Sequence, residues 1–360
     1  MSASLFWHYF RKLFVTAYPY FAGCGPCVHR PGPLAERIGE LPLPSFPVDV
    51  VYTWVDGADP LHAAKRAAHH PPGVHPKRES GGIALFRDNQ ELRYSLRSLE
   101  KYAPWVRRVF IVTDNQTPNW LDSSHSKIQM VKHSDIIPHD CLPTFNSHVI
   151  EAYLHRIHEL GEQYIYFNDD FFLGAPCTPG DFFTLNGMPR LFLDWRRSRL
   201  HGYLRPATPH AWSYNNTRAY LQKRGMSPGH LLSAHVPHPQ TRQNASEGYA
   251  FFEEGIRAFR ENKFRGNNEM AFYCHALCLW TYINKRAVPC DVPFYYVNTK
   301  RIDRHAWYAD ILKEKDSGFT PLFFCLNDVG QARVIIGDWH KEQAEFLETF
   351  FPYPSSFEKQ

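Results

Sequence analysis

The chain has 360 residues, of which 44% are hydrophobic and 15% aromatic, enough for one large domain or two closely packed ones. Forty basic against 36 acidic side chains, a formal charge of +4, exclude a dedicated nucleic-acid binder. Eight Cys in so long a chain exclude a disulfide-built scaffold, and the 20 His show no paired metal-ligand spacing of the H-E-x-x-H kind.

Residues 1–47 read as an N-terminal arm. Its aromatic stretch is interrupted by His8, Arg11 and Lys12, so it has neither the order of a secretory signal nor the roughly 20 apolar residues of a membrane span. Two readings remain, an amphipathic segment lying on an anionic membrane surface and an ordinary helix packed on the domain. Cys24-Gly25-Pro26-Cys27 has the form of a redox pair, but no strand precedes it and no helix follows.

Beyond a Pro-rich stretch at 31–47, residues 48–54 are β-branched and aromatic and predict the first strand. Residues 58–82 carry Pro, His and Gly without periodicity and read as a surface loop that orders over substrate. A helix is expected over 88–102, with Leu92, Leu96 and Leu99 on one face, then strands at 108–113 and 128–131 and a helix over 147–160. Tyr164-Ile165-Tyr166-Phe167 follows, a continuous apolar run of the kind buried on both faces of a parallel sheet. Strands alternating with helices predict an α/β layer architecture. After Gly174 the pattern becomes aromatic and Pro-punctuated, with an extended segment at 191–195 and helices at 208–224, 247–260 and 267–284. The expected division is therefore 48–190, an α/β part, and 191–360, a helix-rich part covering the open end of the sheet and supplying the acceptor side of the cleft.

The run ends abruptly on Asn168-Asp169-Asp170. Ligands of parallel sheets sit beyond the carboxyl ends of the strands, and adjacent carboxylates there repel unless a cation offsets them. Mg²⁺ or Mn²⁺ carrying substrate phosphates is the usual solution, and a plain Asn-Asp turn is the alternative. Trp54-Val55-Asp56-Gly57 ends the first strand in the same way, with Asp56 readable as a ligand-facing carboxylate or as an Asp-Gly turn. Asp88, Asn89 and Glu91 stand at a helix start, where a cap and free N–H groups attract phosphate. Arg93 and Arg97, four apart, read either as a bidentate diphosphate grip or as a face paired with Glu91 and Glu100. Ser233-Ala234-His235-Val236-Pro237-His238 supplies two imidazoles in a Pro-restrained loop, and Arg265 precedes Glu269 at another helix start.

These motifs, taken together and in order, resemble the Stealth family of sugar-phosphate transferases. Residues 49–57 are similar to its first conserved region, and 87–98 through 168–170 to its second. Ala234-His235-Val236-Pro237-His238 through Arg265 and Glu269 resembles the third, and Phe323-Phe324-Cys325-Leu326-Asn327-Asp328 the short fourth. The resemblance implies a mainly parallel, Rossmann-like (glycosyltransferase-A-like) sheet with helices on both faces. It implies transfer of a hexose 1-phosphate from a nucleotide sugar to a glycan hydroxyl, with His235 and Arg265 in the catalytic centre beside Asp88. Asp169 and Asp170 would hold the metal, and Asp56, Asn89, Glu91, Arg93, Arg97, Asn168, His238 and Glu269 would shape the substrate site. The four regions run almost uninterrupted, as in capsule-type members, which implies a bacterial polymer-making role at the cytoplasmic face of the cell membrane. Two rivals are a metal-dependent glycosyltransferase releasing the nucleoside diphosphate, and a glycan-binding module using Trp195, Trp212 and Tyr214 as sugar platforms.

Overall fold

The computed structural model of the chain describes residues 44–70, 83–194, 209–229, 231–290, 292, 294–301, 303–316, 321–328 and 337–359. Strands β1 (Val48–Thr53), β2 (Val109–Thr113), β3 (Ile128–Lys132) and β4 (Gln163–Asn168) pair in parallel in the order β3-β2-β1-β4. Parallel neighbours need crossovers. Helices α1 (Pro60–Ala68) and α2 (Glu91–Tyr102) join β1 to β2, and α3 (Ser147–Tyr153) joins β3 to β4. The order matches half of a Rossmann sheet, so the expected mainly parallel α/β architecture is what forms.

The continuous apolar runs are sorted by alternation. Val50, Tyr52, Val109, Ile111, Ile165 and Phe167 face one side, against Leu92, Leu96 and Leu99 of α2. Their neighbours Val51, Phe110, Val112, Tyr164 and Tyr166 face the other, against Val149 and Tyr153 of α3. Helices thus cover both faces, which is why these strands carry no polar face to betray them.

Immediately after β4 the chain turns through Asp169 and Asp170 into β5 (Phe171–Leu173), which belongs to a different sheet. After β6 (Arg190–Phe192), β7 (His238–Thr241) returns to the main sheet antiparallel to β4, and β8 (Val288–Cys290) pairs with β6. The second sheet has the order β5-β10-β9, with β9 (Phe294–Asn298) parallel and β5 antiparallel to β10 (Phe323–Asn327). The later helices are α4 (Pro209–Gln222), α5 (Arg242–Arg257), α6 (Cys278–Ile283), α7 (Arg304–Asp316) and α8 (Trp339–Phe350).

Several expectations are corrected. Residues 58–82 are not all loop, because the Asp59 carboxylate accepts the His62 N–H and Pro60 occupies the first position, which starts α1. Residues 71–82 lie outside the described set. The helix expected over 147–160 ends at Tyr153 and gives way to a tighter turn, Leu154–Arg156. That expected over 267–284 begins as a π turn, Phe272–Leu277. The second half is also less helical than expected, since β7 to β10 lie in it, and β6 straddles the expected boundary at 190. Residues 1–43, with Cys24 and Cys27, and Trp195 lie outside the described residues. No described helix is long and apolar enough to cross a membrane.

Candidate active site

The link between the two sheets is an acidic corner. Asp169 and Asp170 fill the whole turn between β4 and β5, so their backbone is held by a different sheet on each side. Burial raises both carboxyl groups above the usual range, and at Asp169 the charges of Asp170, Glu91 and Asp88 raise it further. One oxygen of Asp170, Oδ1, is buried without a hydrogen-bond partner.

The carboxyl end of β10 arrives beside this corner because Cys325 stands opposite Phe171 in the antiparallel ladder. The Leu326 N–H donates to the Asp170 carbonyl at 3.2 Å. The Asn327 amide donates to Asp170 Oδ2 at 3.1 Å and lies 3.4 Å from His235 Nε2. One amide therefore ties the carboxylate to the imidazole. The His235 ring is wedged edge-on between Phe171 and Tyr296, with centroids 4.9 and 5.5 Å away.

Metal-binding atoms of Asp170, His235 and Cys325 lie within 4.8 Å of one another. Burial and the Asp170 charge keep the Cys325 thiol protonated, and it donates to Asp170 Oδ2 at 3.4 Å. This leaves the Asp170 carboxylate, with its Oδ1 lone pairs uncommitted, and the His235 imidazole. Such a set suits Mg²⁺ or Mn²⁺ better than a metal that requires thiolate.

The neighbouring strand end and the start of α2 extend the acidic group. Asp56 caps its own turn, accepting the Ala58 N–H at 2.8 Å. Burial, helped by the charge of Asp56, raises Asp88. Neither Asp88 nor Asn89 caps α2 as expected, since Asp88 Oδ1 accepts the Gln90 N–H and Gln90 takes the left-handed conformation at φ 65°. The Glu91 carboxylate accepts from the backbone and side chain of Asn89, both at 2.6 Å, and from Gln343 at 2.8 Å. Burial pushes it up to about 7.

Arg93 and Arg97 do not face a free phosphate site. Arg93 Nε donates to Glu358 at 2.5 Å and Arg97 Nε at 2.7 Å, while Arg97 Nη1 reaches the Phe351 carbonyl at 2.7 Å. The ion-paired reading of this helix face holds, with a partner from the chain's far end instead of Glu91 or Glu100. Glu269 is fully buried, accepting from Asn146, Gly266 N and His148 Nδ1 at 2.6 to 2.7 Å, so it braces the Arg265 loop from behind. His238 is buried in β7, its ring stacked on Tyr166, and burial lowers it to about 4. Of the two expected imidazoles, only His235 reaches the corner group.

Arg265 donates to Ser147 Oγ at 2.5 Å and is half-buried. It touches neither Asp170 nor His235. Glu151 feels the Arg265 charge, and the Tyr166 hydroxyl donates to Glu151 at 3.4 Å and to Asn168 Oδ1 at 2.8 Å. Sequence reasoning missed Asn327, Cys325, Tyr166 and Glu151 as site residues. The signal for Asn327 was present: Phe323-Phe324-Cys325-Leu326-Asn327-Asp328 repeats the pattern of an apolar run stopping on Asn-Asp. Tyr214, a suggested sugar platform, is wholly buried, whereas Trp212 is exposed.

The chain matches the description of Stealth protein conserved region 1 over residues 46–69 and of conserved region 2 over residues 85–191. It is 34% identical over 311 residues to a capsular polysaccharide phosphotransferase of Haemophilus influenzae, covering 85% of this chain and 84% of that protein. A capsular polysaccharide phosphotransferase of Neisseria meningitidis serogroup B is 37% identical over 298 residues, covering 79% and 78%. An exopolysaccharide phosphotransferase of Streptomyces coelicolor is 38% identical over 318 residues, and there the chain spans about half the relative's length, 53%. Among solved structures, the galactosyltransferase LgtC is similar at 13% identity and a TM-score of 0.43, over 84% of this chain and 95% of that one. With that degree of identity across more than three quarters of its length, this chain belongs to the Stealth family of phosphotransferases.

Proposed function

We propose that the chain transfers a hexose or N-acetylhexosamine 1-phosphate from a UDP-GlcNAc-like nucleotide sugar to a glycan hydroxyl in capsule or exopolysaccharide synthesis. The observation that carries this reading is the Asn327 amide joining Asp170 to His235 at the end of the parallel sheet. In the reaction the acceptor oxygen attacks the sugar-bearing phosphorus, and the bond from that phosphorus to the bridging oxygen breaks. The nucleoside monophosphate leaves with the electron pair.

The Asn327 amide donates toward His235 Nε2, which holds the ring neutral and turned to the site; an attacking hydroxyl that displaces this amide would give its proton to the lone pair so freed. Phe171 and Tyr296 fix the plane of the ring. Arg265, anchored through one nitrogen on Ser147, has N–H groups left to meet charge on the transferred phosphoryl group. Asp169 and Asp170 would hold Mg²⁺ or Mn²⁺, which when bound neutralises diphosphate charge. Asp56 and Asp88 would flank the donor. With nucleotide sugar and growing polymer as partners, the reaction belongs at the cytoplasmic face of the membrane.

The test is product identity. The purified chain, Mg²⁺, a panel of UDP- and GDP-sugars and capsule oligomers should give a ³¹P phosphodiester signal and a nucleoside monophosphate. Release of the diphosphate would instead make the enzyme a glycosyltransferase. His235→Ala should lower turnover by about 10²–10⁴-fold while leaving donor affinity nearly unchanged.

A further inference from the structure

Asn168 is the last residue of β4 and stands beside Thr53, the last residue of β1. Strand alternation sets its side chain on the same face as Tyr166, two residues earlier, and Tyr166 packs on the α3 side with Val149 and Tyr153. The same helix carries Glu151, and its first residue, Ser147, anchors Arg265. Asn168 therefore stands where the acidic corner begins, on the side from which Arg265 approaches.

The amide has two unlike ends, and Tyr166 decides which one is spent. The buried Tyr166 hydroxyl has a single hydrogen, and of its two acceptors Asn168 Oδ1 at 2.8 Å is nearer than Glu151 at 3.4 Å. Thr53 Oγ1 meets the same hydroxyl at 3.2 Å from the neighbouring strand. Burial, helped by the Glu151 charge, keeps the phenol protonated and so a donor. With its oxygen engaged, the amide turns its nitrogen away from Tyr166. Asn168 is half-buried, and among the described residues nothing accepts from that nitrogen. The groups around the corner, Asp88, Glu91, Asp169 and Asp170, are carboxylates, and a diphosphate brings only more oxygens. Both hydrogens of the Asn327 amide are already committed, to Asp170 and His235. Phosphate oxygens crossing this edge need N–H groups, and Asn168 Nδ2 offers two beside the corner itself. An amide oxygen is also a ligand for a hard cation, but here that oxygen is held by Tyr166.

We propose that Asn168 is a further catalytic residue, its amide nitrogen donating to a non-bridging oxygen of the transferred phosphoryl group, and that Tyr166 is the positioning residue that turns this end of the amide to the substrate. The inference rests on the proposed phosphoryl transfer. A donor fixed in advance by a buried hydroxyl meets charge that develops on the phosphoryl oxygens without having to reorient at the moment of reaction.

The test is steady-state turnover of purified variants, with kcat and the donor KM read separately. Asn168→Ala and Asn168→Asp should each lower kcat by about 10²–10³-fold, as loss of one oxyanion donor does, with the donor KM within about threefold of native. Tyr166→Phe, which keeps the ring in the core and removes only the hydroxyl, should lower kcat by about tenfold. Added to Asn168→Ala it should slow the enzyme no further, whereas a merely structural role of the hydroxyl would add its full cost. Calorimetric titration with Mg²⁺ alone should give native affinity in Asn168→Ala. Weakened Mg²⁺ binding there would make Asn168 a metal ligand and overturn the assignment. Native kcat in Asn168→Ala overturns it too, as does a loss confined to Asn168→Asp, which would report only an added charge. A Tyr166→Phe cost that persists in the Asn168→Ala background removes Tyr166 from the positioning role. Should the assignment fail while the native chain still releases a nucleoside monophosphate, the transferase reading stands. Release of the diphosphate by the native chain would overturn that reading, and this assignment with it, whatever the variants do.

Discussion

Asn327 commits the two hydrogens of one amide to two groups, Asp170 and His235. Removing it should misaim both without emptying the core. Asn327→Ala is expected to lower turnover by about 10–100-fold with nearly unchanged donor affinity and a cooperative melt, and a variant with full turnover would take Asn327 out of the site. At this scale legibility followed sequence distance. Asp169 and Asp170 could be read because their own strand announces them, whereas Arg93 and Arg97 could not be assigned because Glu358 lies 265 residues beyond Arg93. Glu269 looked like a substrate ligand because the resemblance carried it to the site together with Arg265. Its burial is set by Asn146 and His148, which nothing local reveals.

Elements of the parallel sheet were legible because β-branched and aromatic runs that end on polar residues are unambiguous, and α2 because its leucines recur at helical spacing. Helix α1 was passed over since Pro60 and the surrounding histidines read as loop, although Asp59-Pro60 is also a helix-start signal. The C-terminal tail is tied to α2 through Glu358, whose carboxylate Arg97 and Arg93 hold at about 2, below its ordinary 4.5, against the opposing effect of burial. The folded state thus favours the charged form. That stabilisation is complete above about pH 4.5 and is lost as pH falls toward 2, about 3 kcal/mol over the range. Denaturant midpoints between pH 5 and pH 2 should fall more steeply for the native chain than for Glu358→Gln. Parallel curves would show that the pair contributes nothing to this slope.

Over the whole molecule, the four parallel strands of the main sheet could be foreseen, but its antiparallel β7, read as a Pro-restrained loop at His238, and the second sheet could not. Its strands β5, β9 and β10 are five residues or fewer and come together from positions 171 to 327. Their pairing decides which residues meet Asp170, so the site was only half readable. The acidic corner also sets a global sign. Like charges crowd there, so without a divalent cation Asp169→Asn should be at least as stable as the native chain while inactive. Mg²⁺ should raise the melting temperature of the native chain, by about 2.7 kcal/mol of stability at a hundredfold excess over its dissociation constant, and leave that variant's unchanged. Chelation should stop turnover, and added Mg²⁺ should restore it. A variant melting below the native chain in EDTA would count against crowded charge at the corner.

Because two carboxylates form the whole of the β4–β5 connection between the two sheets, their aim is a readout of how the sheets are seated. A small slide between these layers would spoil catalysis long before either layer melts. Heating should therefore silence the enzyme several degrees below the loss of its circular-dichroism signal, and cooling from that interval should restore full rate at once.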